Sequence, residues 1–175
     1  MNLTRMAYRA RQFFLALRAV PAPEEVAQAR TILTPTQMAL FSRLQASEQA
    51  HALAVARRLV AQGETDPALL TAALLHDVGK SCFPLRVWER VWIVLGKVLF
   101  PALSKSWGND SPTGWRRPFV VAAQHPMWGA KMVAQTEASP QVIELIRRHQ
   151  DRLPSKPASP VERLLGKLQE ADNEN

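Results

Sequence analysis

The clearest chemical signal in the sequence is a histidine followed directly by an aspartate, His76-Asp77, at the end of the apolar segment AALLHDVGK. Adjacent residues of a helix point about 100° apart, so both side chains reach one metal ion only if the ion lies beyond the helix end. There the histidine offers a neutral nitrogen, and the aspartate offers two oxygens that can bridge a pair of ions. For this pair alone, the alternative is a fraying helix end without a ligand.

Two further histidines lie on apolar faces of predicted helices. His51 is in line with Val55 and Leu59, four and eight residues later, and therefore faces the core. His149 shares its face with the apolar residues of the segment VIELIRRHQ. A single histidine on such a face is more often a hydrogen-bonded core residue than a metal ligand, so the spacing alone leaves both roles open.

Asp172 and His125 complete the set of candidate ligands. Asp172 falls on the stripe of Leu165 and Leu168, which points its carboxylate inward, where an unpaired charge is costly. The alternative for Asp172 is a frayed residue near the end of the chain. His125 precedes Pro126, and the residue before a proline disfavours helical geometry, so we expect a break between two helices at this point.

Helices must position these residues, because the sequence carries helix-capping and helix-ending signals along its whole length. Thr34, Asp66, Ser139 and Ser159 each place a capping side chain before a proline at the first helical position. Gly79 is expected to stop the helix after the His-Asp pair. The spacing between the caps is helical and shows no alternating strand pattern. The predicted helices are about 3–19, 24–33, 35–45, 47–62, 67–79, 84–100, 117–124, 127–136, 140–151 and 160–172, with a loop over about 105–114.

Length and composition indicate a single all-α domain. The 175 residues, 47% apolar and 21% charged, suffice for one core. We expect a helical bundle over residues 48–175 and a helical extension over residues 1–47 that packs on it. The longest apolar run, 91–103, is too short to span a bilayer, and the N-terminus is a poor signal peptide. A single cysteine excludes an internal disulfide and fits a reducing compartment, so we expect a cytoplasmic protein.

The order of the candidate ligands along the chain resembles the HD-domain superfamily of metal-dependent phosphohydrolases. The flanking sequence is similar as well, over about residues 48–172. The segments that carry the resemblance are HALAVARRL, LTAALLHDVGK, HPMWGAKMV, VIELIRRHQD and LLGKLQEAD. The resemblance implies that the helical bundle is a single HD domain.

The resemblance also implies one metal ion and, in dinuclear members, a second ion that shares Asp77. The first ion would be held by His51, His76, Asp77 and Asp172, and the second by Asp77, His125 and His149. A nitrogen and oxygen ligand set suits Mn, Fe, Mg, Co or Ni rather than a thiolate-rich zinc site. Two ions about 3.5–4 Å apart would activate a water molecule and neutralise the phosphoryl oxygens of a substrate.

The implied activity is hydrolysis of a phosphoester or phosphoanhydride, in a nucleotide or dinucleotide, with Asp77 as a catalytic residue. A net charge of +7 and a pI near 10.3 favour an anionic partner, and no nucleic-acid-binding motif is present in the sequence. Two alternatives stay open: a di-iron oxygenase with the same ligands, and a non-catalytic regulatory module that senses a nucleotide. Gln150 stands where cyclic-di-GMP phosphodiesterases of the HD-GYP type have a second histidine, so that activity is not expected.

Several basic residues are candidates for substrate binding. Lys80 directly follows the segment HDVG and could stabilise charge on a phosphate next to the metal. Its alternative is a solvated lysine at a helix C-terminus. Arg147 and Arg148, followed by Arg152 and Lys156, could extend a basic rim, although arginines on an exposed helix are usually a solvated face.

A tryptophan-rich stripe occupies the segment between Asp77 and His125. Its members recur at helical spacing and are Trp88, Trp92, Leu95 and Leu99. We expect this stripe to pack in the core or to cover the site as a lid. The alternatives are peripheral contact with a membrane surface or contact with a second copy of the chain. The sequence does not fix the oligomeric state.

Overall fold

The computed structural model describes residues 19–173, which form helices joined by short loops, without a β-strand in this range. The all-α prediction is confirmed. All but the last residue of the helix predicted over 3–19 lies outside the described residues. The α-helices are α1 Pro23–Ile32, α2 Pro35–Phe41, α3 Ala46–Ala61, α4 Pro67–Leu75, α5 Val87–Leu99, α6 Pro101–Trp107, α7 Arg117–Val133, α8 Pro140–Arg148 and α9 Pro160–Asn173; two 3₁₀ helices span Val78–Cys82 and Gly114–Arg116.

The predicted caps start the helices that carry the candidate ligands. The Asp66 carboxylate accepts a hydrogen bond from the Leu69 amide at 2.9 Å and so begins α4. The Ser139 hydroxyl accepts from the Val142 amide and begins α8. Before α9, the Ser159 hydroxyl accepts from a backbone amide three residues later. These bonds satisfy amides that have no partner within a helix, and each contributes about 1 kcal/mol.

One hydrophobic core joins α1 to α4 with α7, α8 and α9. Helix α4 lies in its centre, since its residues from Thr71 to Leu75 are all buried. Helix α1 contributes Ala29 to this core, and α2 contributes Met38 and Phe41. The remaining large members come from the surrounding helices: Leu53, Leu59, Val133, Leu145, Ile146, Leu165 and Leu168.

The predicted break at His125 is wrong, because α7 continues through Pro126 as one helix over Arg117–Val133. A proline inside a helix removes one backbone hydrogen bond and costs about 3 kcal/mol or more. Burial on both sides of the proline offsets this cost: Val120 and Val121 are buried before it, and Ala130 and Val133 after it. Tertiary packing therefore overrides the local preference.

Gly79 does not act as the expected helix stop. Helix α4 already ends at Leu75, and Gly79 lies in the 3₁₀ helix that follows. A Cβ atom on Gly79 would lie 2.0 Å from the carbonyl oxygen of His125 and 2.7 Å from the amide nitrogen of Gly129. The glycine is needed because it lets the 3₁₀ helix approach the backbone of α7 closely.

The tryptophan-rich segment forms α5 and α6, and α6 replaces the first part of the loop predicted over 105–114. Core packing of the stripe is wrong for Trp88, Leu95 and Leu99, which are 57%, 44% and 61% exposed. Trp92 packs edge-on against Phe119 of α7, with ring centroids 6.1 Å apart. Within residues 19–173, no helix has the length and hydropathy needed to cross a bilayer.

Candidate metal centre

His51 and Asp172 meet although 121 residues separate them. His51 lies on α3 and Asp172 on the last turn of α9, and the two helices pack against each other in the core. The Nε2 atom of His51 lies 2.8 Å from Oδ1 of Asp172. Both side chains are about one-third exposed, so this pair lies at the rim of the site.

His76 lies at the C-terminal end of α4 and is fully buried, because this helix is apolar on all sides. Its Nδ1 atom lies 2.9 Å from the carbonyl oxygen of Ala73, which can only accept a proton. Nδ1 therefore carries the hydrogen, and Nε2 of the neutral ring is a bare acceptor. Nε2 has no hydrogen-bond partner and lies 3.6 Å from oxygens of both Asp77 and Asp172.

His125 of α7 and His149 at the end of α8 repeat this arrangement. Their Nδ1 atoms lie 2.9 Å and 2.8 Å from the carbonyl oxygens of Val121 and Ile146. Both Nδ1 atoms must donate, so the two Nε2 atoms, 3.3 Å apart, are both acceptors when the rings are neutral. Two facing acceptors cannot form a hydrogen bond with each other. A cation between them would satisfy both.

Asp77 lies between the two groups of histidines and is buried. Its Oδ2 faces His76 at 3.6 Å, and its Oδ1 lies 3.1 Å from Nε2 of His125 and 4.0 Å from Nε2 of His149. The Lys80 ammonium lies 2.5 Å from Oδ2. One carboxylate thus presents a different oxygen to each group, which is the arrangement of a bridging ligand.

The charges of the site follow from burial and from these neighbours. Burial alone would raise the pKa of Asp77, but Lys80 and His76 hold it well below its usual range. Burial lowers the pKa of His149 to about 3 and also lowers the pKa of His125. The two rings are therefore neutral at pH 7, as metal binding requires. Burial alone would lower the pKa of His76, but Asp77 and Asp172 together outweigh it and raise the pKa.

The structure brings the six predicted ligands together as two triads, each with ligand atoms within 4.8 Å of one another. We call them the rim triad (His51, His76, Asp172) and the buried triad (Asp77, His125, His149). The bare imidazole nitrogens and the carboxylates fit a divalent cation in each triad. With no sulfur atom in either triad, they fit hard or borderline ions such as Mn, Fe, Mg, Co or Ni.

Arg147 and Arg148 lie on the surface of α8. The Arg147 guanidinium forms a two-pronged ion pair with the Glu144 carboxylate, at 2.7 to 3.0 Å. Arg148 pairs with Asp151 at 3.0 Å and with Glu144 at 3.5 Å. Neither arginine lines the cavity beside the metal centre, which Lys80 does line. The role of these arginines in substrate binding stays a prediction.

Several polar residues near the site were not among the sequence candidates. Gln169 of α9 donates to the backbone carbonyls of His149 and Asp151 and fixes the end of α8. Glu48 is buried and pairs with Arg90 of α5 at 2.8 Å. Lys97 of α5 lines the same cavity as Lys80. The spacing along the sequence does not indicate these residues, because helices that are distant along the chain bring them to the site only in the folded protein.

Comparison with known families agrees with this geometry. A family model described as the HD domain matches residues 49–174, a range that contains all six residues of the two triads. Comparison with curated proteins and with solved structures gave no significant match. The family model covers well over half of the chain, and the chain belongs to the HD-domain family.

Proposed function

We propose that the protein is a metal-dependent phosphohydrolase that acts on a phosphorylated small molecule such as a nucleotide or dinucleotide. The observation that carries this proposal is a set of buried nitrogens without a hydrogen-bond donor or acceptor of their own: the Nε2 atoms of His125 and His149 face each other beside Asp77 with no proton to share, and Nε2 of His76 has no hydrogen-bond partner. Leaving buried polar groups unpaired costs about 1–3 kcal/mol each, so a site of this kind supports a role in holding cations. Members of the HD family are mostly metal-dependent hydrolases.

Bound divalent ions would supply a more acidic water molecule and positive charge for the phosphoryl oxygens. The protein would hold these ions and the substrate in position. Asp77 offers one oxygen to each triad, and its low pKa keeps it ionised at neutral pH. Hydrogen bonds from Nδ1 to backbone carbonyls hold the imidazoles of His76, His125 and His149 in one tautomer and orientation.

Lys80 supports the choice of a phosphorylated substrate. Its ammonium pairs with Oδ2 of Asp77, the oxygen that faces the rim triad. A cation that binds this oxygen competes with the ammonium and leaves it available for an anionic substrate. A positive charge fixed next to the reacting group stabilises charge that develops during phosphoryl transfer.

The sequence leaves two other functions open. A di-iron oxygenase would use the same ligands, but three cations line the cavity beside them, Lys80, Arg90 and Lys97, which favours phosphate chemistry. A regulatory module without activity would be expected to lack some of the ligands, and this chain retains all six. We therefore propose hydrolysis as the function.

The proposal is tested by hydrolysis of a substrate panel. Protein purified without added metal is assayed for phosphate release from nucleoside mono-, di- and triphosphates and from dinucleoside polyphosphates, with and without Mn²⁺. We expect turnover of at least one substrate with Mn²⁺ and its loss with EDTA. Turnover that EDTA leaves intact, or iron-dependent consumption of O₂ without phosphate release, would contradict the proposal.

A further inference from the structure

A cavity of about 220 Å³ lies beside the metal centre, between α5 and the ligand-bearing helices. His125 of the buried triad lines it, so the cavity reaches the metal centre directly. Its volume is smaller than the roughly 300–1,000 Å³ of a site for a whole ligand, which suits one compact part of a substrate. The lining residues are Glu48, Lys80, Leu85, Arg90, Ile93, Lys97, Ala122, His125 and Gln150.

The cavity carries more positive than negative charge. Its carboxylate, Glu48, is 2% exposed and already pairs with Arg90. Lys80 pairs with Asp77. Within residues 19–173, Lys97 forms no ion pair with a carboxylate and no hydrogen bond through its side chain. Lys97 is therefore the cation of this cavity whose counter-charge a ligand can supply.

Lys97 and Lys80 line the same cavity, so both ammonium groups border one space. The pKa of Lys97 is lowered by desolvation and then by the charge of Lys80. An anion between two ammonium groups removes their repulsion and gains an attraction to each. A chain of two phosphate groups carries negative charge on each phosphate and so offers a counter-charge to each lysine.

Gln150 adds a neutral donor to the same wall. Its Nε2 lies 3.5 Å from Nε2 of His125, too far for a strong hydrogen bond. If a cation takes the His125 nitrogen, the amide of Gln150 must find another acceptor. A phosphate oxygen in the cavity is such an acceptor.

We propose that Lys97, with Gln150, binds a second phosphate next to the one that is attacked, so that the preferred substrates contain a phosphoanhydride. This inference rests on the proposed function. In the reaction, the oxygen of water forms a bond to one phosphorus, and that phosphorus loses its bond to the bridging oxygen. The bridging oxygen leaves with the other phosphate, and the protons of water pass to the products or to solvent.

The experiment compares ADP with AMP on the full chain loaded with Mn²⁺. We measure KM for each substrate and, by calorimetry, the affinity for AMP and for the methylene-bridged analogue of ADP, which cannot be cleaved. Lys97→Gln should reduce the preference for the diphosphate by about 10- to 100-fold, the range for a hydrogen bond between charged groups. Lys97→Arg, which keeps the charge, should retain most of the preference.

The matched control is Lys105→Gln, which removes the same charge from an exposed lysine on α6. It should keep the preference of the wild-type protein. If Lys97→Gln weakens both ligands equally, or changes neither, the assignment of Lys97 is wrong while measured hydrolysis upholds the proposed function. If the wild-type protein hydrolyses neither these two substrates nor any other member of the panel, the proposed function fails, and the calorimetric comparison still decides whether Lys97 selects a diphosphate. Absence of binding to both ligands overturns the assignment of Lys97.

Discussion

The rim triad and the buried triad use the same ligand chemistry but differ in what they need from a cation. In the rim triad, His51 and Asp172 satisfy each other through one hydrogen bond and remain about one-third exposed to water. In the buried triad, Asp77, His125 and His149 are at most 4% exposed and present acceptors to one another without a proton. A hydrogen-bonded His–Asp pair such as His51–Asp172 also occurs in proteins where it only stabilises the fold. The acceptors of the buried triad do not stabilise the fold in this way, because they do not share a proton. The buried triad is therefore the stronger candidate for a metal site.

The largest effect is expected from Asp77, the residue that touches both triads. Asp77→Ala should reduce Mn²⁺-dependent hydrolysis below detection, because the buried triad loses its carboxylate and the rim triad loses the Oδ2 atom that faces it. The matched control is Asp110→Ala, which removes an exposed carboxylate paired with Arg116. Circular dichroism of both variants should match the wild-type spectrum. Wild-type turnover by Asp77→Ala would show that the His-Asp pair has a structural role.

A second prediction separates the triads by counting ions. His149→Ala removes one of the three ligands of the buried triad and should reduce the bound ions from two to one. His51→Ala should instead weaken the other ion, since its side chain belongs to the rim triad. Metal analysis after equilibrium dialysis against Mn²⁺ measures both numbers. If the wild-type protein saturates with one ion, the prediction of two ions is wrong and the site is mononuclear.

The third prediction concerns Lys80, which touches the triads only through Asp77. Lys80→Ala should lower kcat by about 10- to 10³-fold, the range for one electrostatic donor to a transition state. Its metal content should remain that of the wild-type protein, since a cation replaces the ammonium at Asp77. Loss of bound metal in this variant would mean that Lys80 organises the site rather than the substrate.

Some of the residues on which these predictions depend could be identified from the sequence, and others could not. The caps and helix α9 could be predicted, because a Ser, Thr or Asp before a proline has a local geometric meaning. The phase of His51 and Asp172 along their helices placed both side chains on the inner face, and the structure brings them together at 2.8 Å. In these cases the determining physics is local.

Other features could not be predicted, because they are set by packing between distant segments. Pro126 continues inside α7, since burial on both sides outweighs the lost hydrogen bond. Gly79 is required by the close approach of His125 and Gly129 of α7, which lie more than 40 residues later in the chain. Lys97 reaches the cavity because α5 packs on α7. The apolar stripe of α5 predicted core packing, yet Trp88 is 57% exposed.

The smallest predicted effect is a pH dependence of stability in the metal-free protein. The pKa of His149 is about 3 in the folded protein and near 6.5 when unfolded, so between these values the unfolded chain binds more protons. The free energy of unfolding should therefore fall as the pH decreases through this window, by up to about 1.4 kcal/mol per pH unit. His149→Gln should flatten this slope in urea denaturation with EDTA, whereas Lys105→Gln should not. An unchanged slope in His149→Gln would contradict a neutral, buried imidazole.

The central claim, that each triad holds a divalent cation, is tested most directly by anomalous diffraction from crystals of the full chain equilibrated with Mn²⁺. We predict two anomalous peaks. One should lie within about 2.0–2.4 Å of ligand atoms from His51, His76 and Asp172, and the other at that distance from those of His125 and His149, with Asp77 contacting both. A single peak in the buried triad would restrict the claim to one ion. Absence of any peak at these side chains under saturating Mn²⁺ would contradict it.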